Sequence, residues 1–231
     1  MLCCRPTTMV ALVVCALLLI GSSAPRNDAA GATRQDTVAH DLDVNSRTVL
    51  GIILGRSNLA EAQARLGRTR LWSDGDAATA EAKVCYVTQG PDAIVLVYAS
   101  NLEMAGPPEN QITDIRVLRA TAYPGRAKCL PLRIAREKVS TRSGLRLGLK
   151  RQEVRQILGP PHRSAALAWS YSWSVDLPLP TSDPYYKHWA AKKDECFNGK
   201  LPFFSVGSEI DVSFEGEVVT AISLSRMESI C

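Results

Sequence analysis

Few side chains in this sequence are suited to chemistry, and their spacing is unlike that of a reaction centre. His40, His162 and His188 are the imidazoles able to trade a proton near neutral pH. None belongs to an H-x-x-x-H or H-E-x-x-H pair, and none neighbours a serine in a nucleophile elbow. A Ser-His-Asp triad assembled across a fold needs no local spacing, which leaves an unrecognised hydrolase as one reading. Gly51-x-x-x-Gly55 lacks the Lys-Ser/Thr that completes a phosphate loop, so its glycines read as backbone turns at a helix entrance. The expectation is a protein with no catalytic residues, no cofactor and no metal site.

The sulfur chemistry is more telling. Seven cysteines are present, and Cys3, Cys4 and Cys15 fall in an amino-terminal leader. The remaining four, Cys85, Cys129, Cys196 and Cys231, are an even number in an exported chain and suggest disulfides. Four cysteines allow three connectivities. An internal duplication, described next, gives each copy two cysteines, the second following that copy's last strand. This favours Cys85–Cys129 and Cys196–Cys231, each contributing about 3–4 kcal/mol in the chain-entropy model. No pair has the close C-x-x-C spacing of a zinc site.

The elements that must hold these residues come in two sets. Gly51-Ile52-Ile53-Leu54-Gly55, Glu61-Ala62 and Leu66-Gly67 reappear as Gly144-Leu145-Arg146-Leu147-Gly148, Glu153-Val154 and Leu158-Gly159. In the first copy Ser57 reads as an N-cap, with Leu59, Ala62 and Leu66 on one helical face and Gly67 as the stop. Strand-like runs follow over 83–88, 93–100 and 112–120. The second copy repeats the order: a helix over 150–158, then strands over 167–175, 208–214 and 218–225. Trp169, Tyr171, Trp173 and Val175 alternate with Ser170, Ser172 and Ser174, which places the aromatics in the core and the serines on an open face. A shorter helical turn around Gly51 to Gly55 is expected before the main helix, and the predicted fold class is α+β: two tandem repeats, 48–140 and 141–231, each a helix pair packed on one face of a small antiparallel sheet.

Residues 177–207 break the repeat. This insertion is rich in proline and aromatics, and long loops within compact folds often carry function. Tyr185, Tyr186, His188, Trp189 and Phe203 are the candidate partner-binding residues, since Tyr and Trp supply much of the anchoring energy at protein interfaces. The competing reading folds these aromatics back as a small local core clasped by Cys196.

Gly148, Glu153-Val154 and Leu158-Gly159-Pro160-Pro161 together resemble the repeat of the small outer-membrane-assembly lipoproteins. They are equally similar to the tandem-domain β-lactamase inhibitor proteins. The first copy departs from the motif: it has one extra residue between Gly55 and Glu61, Ala62 for Val, and no proline after Gly67. The resemblance implies a protein-binding module. In the inhibitor-like members two such domains form one curved sheet that grips a partner.

The remaining features bound the setting. Arg5, the apolar run Met9 to Ile20 and the small residues up to Ala24 have the order of a secretory signal peptide over 1–24, followed by a flexible lead-in over 25–47. Cys15 lies inside the apolar run, where it does not form a lipid-attachment site. The formal net charge is +4, and its densest stretch, Arg133 to Arg146, reads as a solvated linker with no aromatic interleaving for nucleic acid. The expectation is a periplasmic or secreted, non-catalytic module that binds another envelope or secreted protein through open sheet faces and the aromatic insertion. An accessory role in outer-membrane protein assembly is the alternative.

Overall fold

The computed structural model describes residues 41–76, 80–101, 110–183, 186–192 and 201–229, all within one unit, Thr37–Cys231. The leader expected over 1–24 lies outside the described residues, as do Tyr185, Cys196 and Cys231. The described fold is already packed before Thr48, since Leu42 belongs to the core.

The first strands among the described residues form a hairpin of β1 (Thr48–Val49) and β2 (Ile52–Ile53). The sequence reading places a helical turn at Gly51–Gly55; the structure has this hairpin there. Leu50 and Gly51 both take positive φ, 50° and 81°, as a tight hairpin turn demands. The helix α1 (Leu59–Leu66) follows, and its N-cap is Asn58 where Ser57 is expected. Asn58 Oδ1 accepts the Glu61 N–H at 2.9 Å, while the Ser57 hydroxyl accepts from Ile53 N–H at 3.2 Å. Next come β3 (Trp72–Asp74), β4 (Glu81–Thr88), β5 (Ile94–Asn101), β6 (Asp114–Arg119) and β7 (Leu130–Leu132).

The second half repeats this order. Thr141 and Leu145 close its entrance turn, with a backbone bond of 2.8 Å. Then α2 (Arg151–Leu158), β8 (Arg163–Ser164), β9 (Ala168–Pro178), α3 (Tyr186–Ala191), β10 (Phe203–Glu215) and β11 (Val218–Ser229) follow. The Lys150 N–H donates to the Glu153 carboxylate at 2.7 Å at the start of α2. Both repeat glutamates thus occupy the third helical position, where a carboxylate suits the positive end of the helix dipole.

The repeats do not form two small sheets, each under a helix pair. One nine-stranded sheet runs β3-β4-β5-β6-β11-β10-β9-β8, with β7 beside β4. All pairings are antiparallel except β4 with β7. The expectation fails at β6 and β11, the last long strand of each half. Each would be a bare edge in a separate sheet, and unpaired edges invite pairing. Here they pair with each other from Ala221↔Leu118 to Ser225↔Asp114. The entrance hairpins also meet, through a Val49↔Thr141 bridge and a bond from Arg142 N–H to Thr48 O at 2.8 Å. One apolar core accordingly spans both halves, joining Leu54, Tyr98 and Ile115 to Val154, Tyr171 and Leu224.

The recurring Leu-Gly of the sequence has the same job twice. Gly67 and Gly159 end their helices with φ of 111° and 81°, conformations that disfavour a side chain. The freed carbonyl of Gly67 accepts from the Tyr86 hydroxyl at 3.0 Å, and that of Gly159 from Tyr171 at 3.4 Å. Each bond ties a helix exit to the first long strand of its half. Tyr98 adds a third tie, donating to Val49 O of the entrance hairpin at 3.0 Å.

Two outcomes are expected from these phenols. Tyr86→Phe and Tyr171→Phe each lower unfolding free energy by about 1 kcal/mol, and the double variant sums the two, as chemical denaturation will measure. Burial raises Tyr86 and Tyr171 from the ordinary 10.0 to about 12, against a lowering by Arg155 at Tyr171. Burial, then Tyr86, also raises Tyr98. Stability held by the protonated phenols is whole below pH 10.0 and is lost as pH climbs through about 12. Phenolate absorbance in an alkaline titration should therefore rise together with the loss of near-UV circular dichroism.

Candidate functional site

Alternation along β9 sets the character of both sheet faces. Trp169 and Tyr171 are buried beneath α2, and Trp173 packs against the same core. Arg151 and Arg155 lie over the Trp169 ring at 5.1 and 4.8 Å, and Arg151 lies 4.1 Å from the Phe214 ring centroid. Such cation–π contacts seal the aromatic end of the core with the aliphatic stems of helix arginines. The opposite face receives Ser170, Ser172 and Ser174, of which Ser172 and Ser174 are exposed. The sequence expectation for these six side chains is met.

The serine face continues across the neighbouring strands. Pairing aligns Ser172 with Glu209, Glu209 with Ser225 and Ser225 with Asp114. A second row runs Ser170, Asp211, Ser223, Arg116. Ser170 donates to the Asp211 carboxylate across the strands. Met227 stands exposed among these groups at 59%. Two adjoining depressions, about 310 and 220 Å³, share Ser225 and Met227; the first is walled by Ser172, Ser174 and Glu209, the second by Glu81, Asn101 and Asp114. The helices α1 and α2 pack on the opposite, core-facing side of the sheet from this field.

Towards the first half the same face becomes ionic and then apolar. Arg116 binds Glu81 at 2.6 Å and Asp114 at 2.7 Å, and Lys83 binds Glu81 at 2.7 Å. Beyond this network Cys85, Val95, Val97, Ala120 and Cys129 form a second, smaller core, with Trp72 and Tyr123 against it. The segment between β6 and β7 supplies its lid in two 3-10 turns, Ala120–Ala122 and Arg126–Lys128. The Cys85–Cys129 disulfide, with a Cα separation of 4.8 Å, fastens that lid to β4. This bond is the first of the two expected clasps, and it suits an oxidising, extracytoplasmic compartment. Among the described residues no helix is long and apolar enough to cross a membrane.

The described candidate partner-binding residues fall on two successive elements. Tyr186, His188 and Trp189 share the short helix α3, none of them buried. The His188 and Trp189 rings meet edge to face at 5.1 Å, and Lys192 lies 5.9 Å from the Trp189 centroid. Phe203 begins β10, paired with Pro178. The insertion expected over 177–207 is thus partly strand: β9 runs on to Pro178 and β10 starts at Phe203, lengthening the hairpin.

His162 lies within reach of a serine hydroxyl. Its Nδ1 accepts the backbone N–H of Ser172 at 2.8 Å, with Ser172 Oγ at 3.4 Å. The lone pair that would take a proton from the hydroxyl already holds the backbone bond, so this pair is arranged to anchor the β9 edge. No cluster of three or more His, Cys, Asp or Glu suited to a metal occurs among the described residues.

Sequence reasoning missed Glu81, Asp114, Arg116, Glu209, Ser225 and Met227 as one surface. Each occupies an outward position of an alternating strand, but the rows exist only once the β6–β11 pairing is known. Arg226 was equally hidden. It takes an inward position in β11, bound to Asp41 at 2.8 Å and Ser208 at 3.1 Å. Gly55 makes room for it, since a Cβ there would lie 2.1 Å from Arg226 Cδ. No family model matches the chain, and neither a curated protein nor a solved structure does.

The ionic network has a pH signature. Burial alone would raise the Glu81 carboxyl, but the Lys83 hydrogen bond and the charges of Arg116 and Lys83 hold it below its ordinary 4.5. Its contribution is present above pH 4.5 and lost as pH falls through the lowered value. Glu81→Gln should cost on the order of 1 kcal/mol at neutral pH. The difference from the unaltered protein should shrink on acidification below pH 4.5, as urea titrations at several pH values will measure.

Proposed function

We propose that this protein is an exported, non-catalytic binding module that holds a secreted or envelope protein against the open face of its sheet. The observation carrying this reading is the continuous field of Ser172, Ser174, Glu209, Ser223, Ser225 and Met227, built by the three adjacent strands β9, β10 and β11. Short polar side chains on a rigid sheet lose little entropy when covered, and exposed Met227 offers an adaptable apolar contact at its centre. Glu209 and Asp211 give the field a negative bias, complementary to a basic partner surface. The aromatic helix α3, joined to the same hairpin, serves as a rim that adds anchoring contacts.

The compartment supports this reading. A leader of secretory pattern, a disulfide in the folded part and the even set of remaining cysteines belong together in a periplasmic or secreted protein. The resemblance of the repeats to tandem β-lactamase inhibitors and to assembly lipoproteins points in the same direction, since both groups act by protein contact.

The test uses the full exported protein and the double variant Ser172→Arg/Ser225→Arg, whose long side chains would stand in the field without entering the core. The unaltered protein should capture a partner from envelope extract, and the variant should lose at least tenfold in affinity for it while keeping its circular dichroism. Equal affinity for the two proteins would show that the open face is not the binding surface. Inhibition of a β-lactamase is the sharpest form of the idea, and none at high micromolar protein would remove that partner class. Recovery of outer-membrane assembly subunits would assign the accessory role instead.

A further inference from the structure

The disulfide-fastened lid frames a second groove, remote in character from the serine field. It encloses about 500 Å³ between β3 and the turn after Tyr123, within the range of small-ligand sites. Arg70, Lys83 and Lys128 line it together with Trp72 and Tyr123, and Lys83 is ion-paired with Glu81 at 2.7 Å. No carboxylate is among its described lining residues. Trp72 is the strand partner of Lys83, so its indole lies on the same face as the lid. The Lys128 ammonium sits 5.2 Å from the Trp72 ring centroid, which holds this cation in place before any ligand arrives. Arg70 and Lys128 are exposed, and so is Arg126, two residues before Lys128 in the chain.

We propose that this groove is a binding site for an anionic carbohydrate, with sulfate, phosphate or carboxylate groups held by Arg70 and Lys128 and a sugar ring against Trp72 and Tyr123. Cations and aromatic rings lining one groove match a chain that alternates acidic groups with amphipathic rings. An acidic peptide fits less well. A peptide laid along a sheet edge is held by backbone bonds from that edge, and β3 offers three residues, Trp72–Asp74. The Cys85–Cys129 bond positions the site, because it fixes the lid carrying Tyr123 and Lys128 to the strand carrying Lys83. The site is independent of the serine field, so either can fail without the other.

Binding of size-defined heparin fragments to the full protein, followed by titration calorimetry at several salt concentrations, tests the assignment. Arg70→Glu/Lys128→Glu should weaken binding at least tenfold and flatten its salt dependence. Arg133→Glu/Arg142→Glu, two exposed arginines outside the groove, should leave it within twofold. Equal loss in both double variants would mean general charge attraction only and would overturn the site. Poly-glutamate binding as tightly as heparin would overturn the carbohydrate assignment. Unchanged binding in the groove variant, with circular dichroism confirming its fold, would overturn both.

Discussion

The ladder between β6 and β11 is the constraint on which the architecture rests. Each strand closes its own half, and each would otherwise present a row of unsatisfied backbone groups. Their pairing turns a five-stranded and a four-stranded array into one surface and merges the apolar faces beneath it. Ile115 lies opposite Leu224 and Val117 opposite Ile222, so the seam is apolar on the side that faces the core. Above the seam, Arg116 and Ser223 stand side by side on the other face. The same few bonds therefore join the hydrophobic core and continue the open field.

The two faces are held by different physics. Beneath, helices and hairpins bury large side chains, and tyrosine hydroxyls satisfy the carbonyls that the helix exits leave free. Above, the first half closes its face with a lid and a disulfide, while the second leaves short polar side chains exposed. The ion network of Glu81, Lys83, Asp114 and Arg116 marks the border between them. Asp114 and Glu81 are displaced in opposite directions there. Burial is the larger influence on Asp114 and raises it against the pull of Arg116, whereas Lys83 and Arg116 together outweigh burial at Glu81. Arg116 reaches both carboxylates at similar distances, and the second cation, Lys83, reaches Glu81.

Much of this was legible in the sequence, and the misses have a common cause. The alternation of Trp169 to Ser174 placed six side chains correctly because a strand with one buried face must alternate. The glycines at 67 and 159 announced helix exits because few other residues accept their backbone angles. The Cys85–Cys129 clasp followed from the duplication. What sequence could not display was which edge meets which: an alternating last strand looks the same whether solvent or another strand lies beside it. The entrance turns were misassigned for a local reason, since Gly51-Ile52-Ile53 suits a hairpin as well as a helical turn. Arg226 contradicts the inward pattern of its strand and becomes intelligible only beside Asp41, Ser208 and the bare Cα of Gly55.

The strand order has one more consequence. Read from either end, it lists equivalent strands of the two halves in the same sequence, and the halves touch through equivalent parts: last strand to last strand, entrance to entrance. That is the isologous geometry of a twofold homodimer, here written into a single polypeptide. In a true homodimer every substitution appears twice, so a feature that suits one side is forced upon the other. Covalent fusion removes that symmetry requirement. One half has kept a closed, disulfide-clasped face, while the other has taken up an aromatic helix and an uncovered field. The association of the two halves no longer depends on protein concentration, as that of a dimer would.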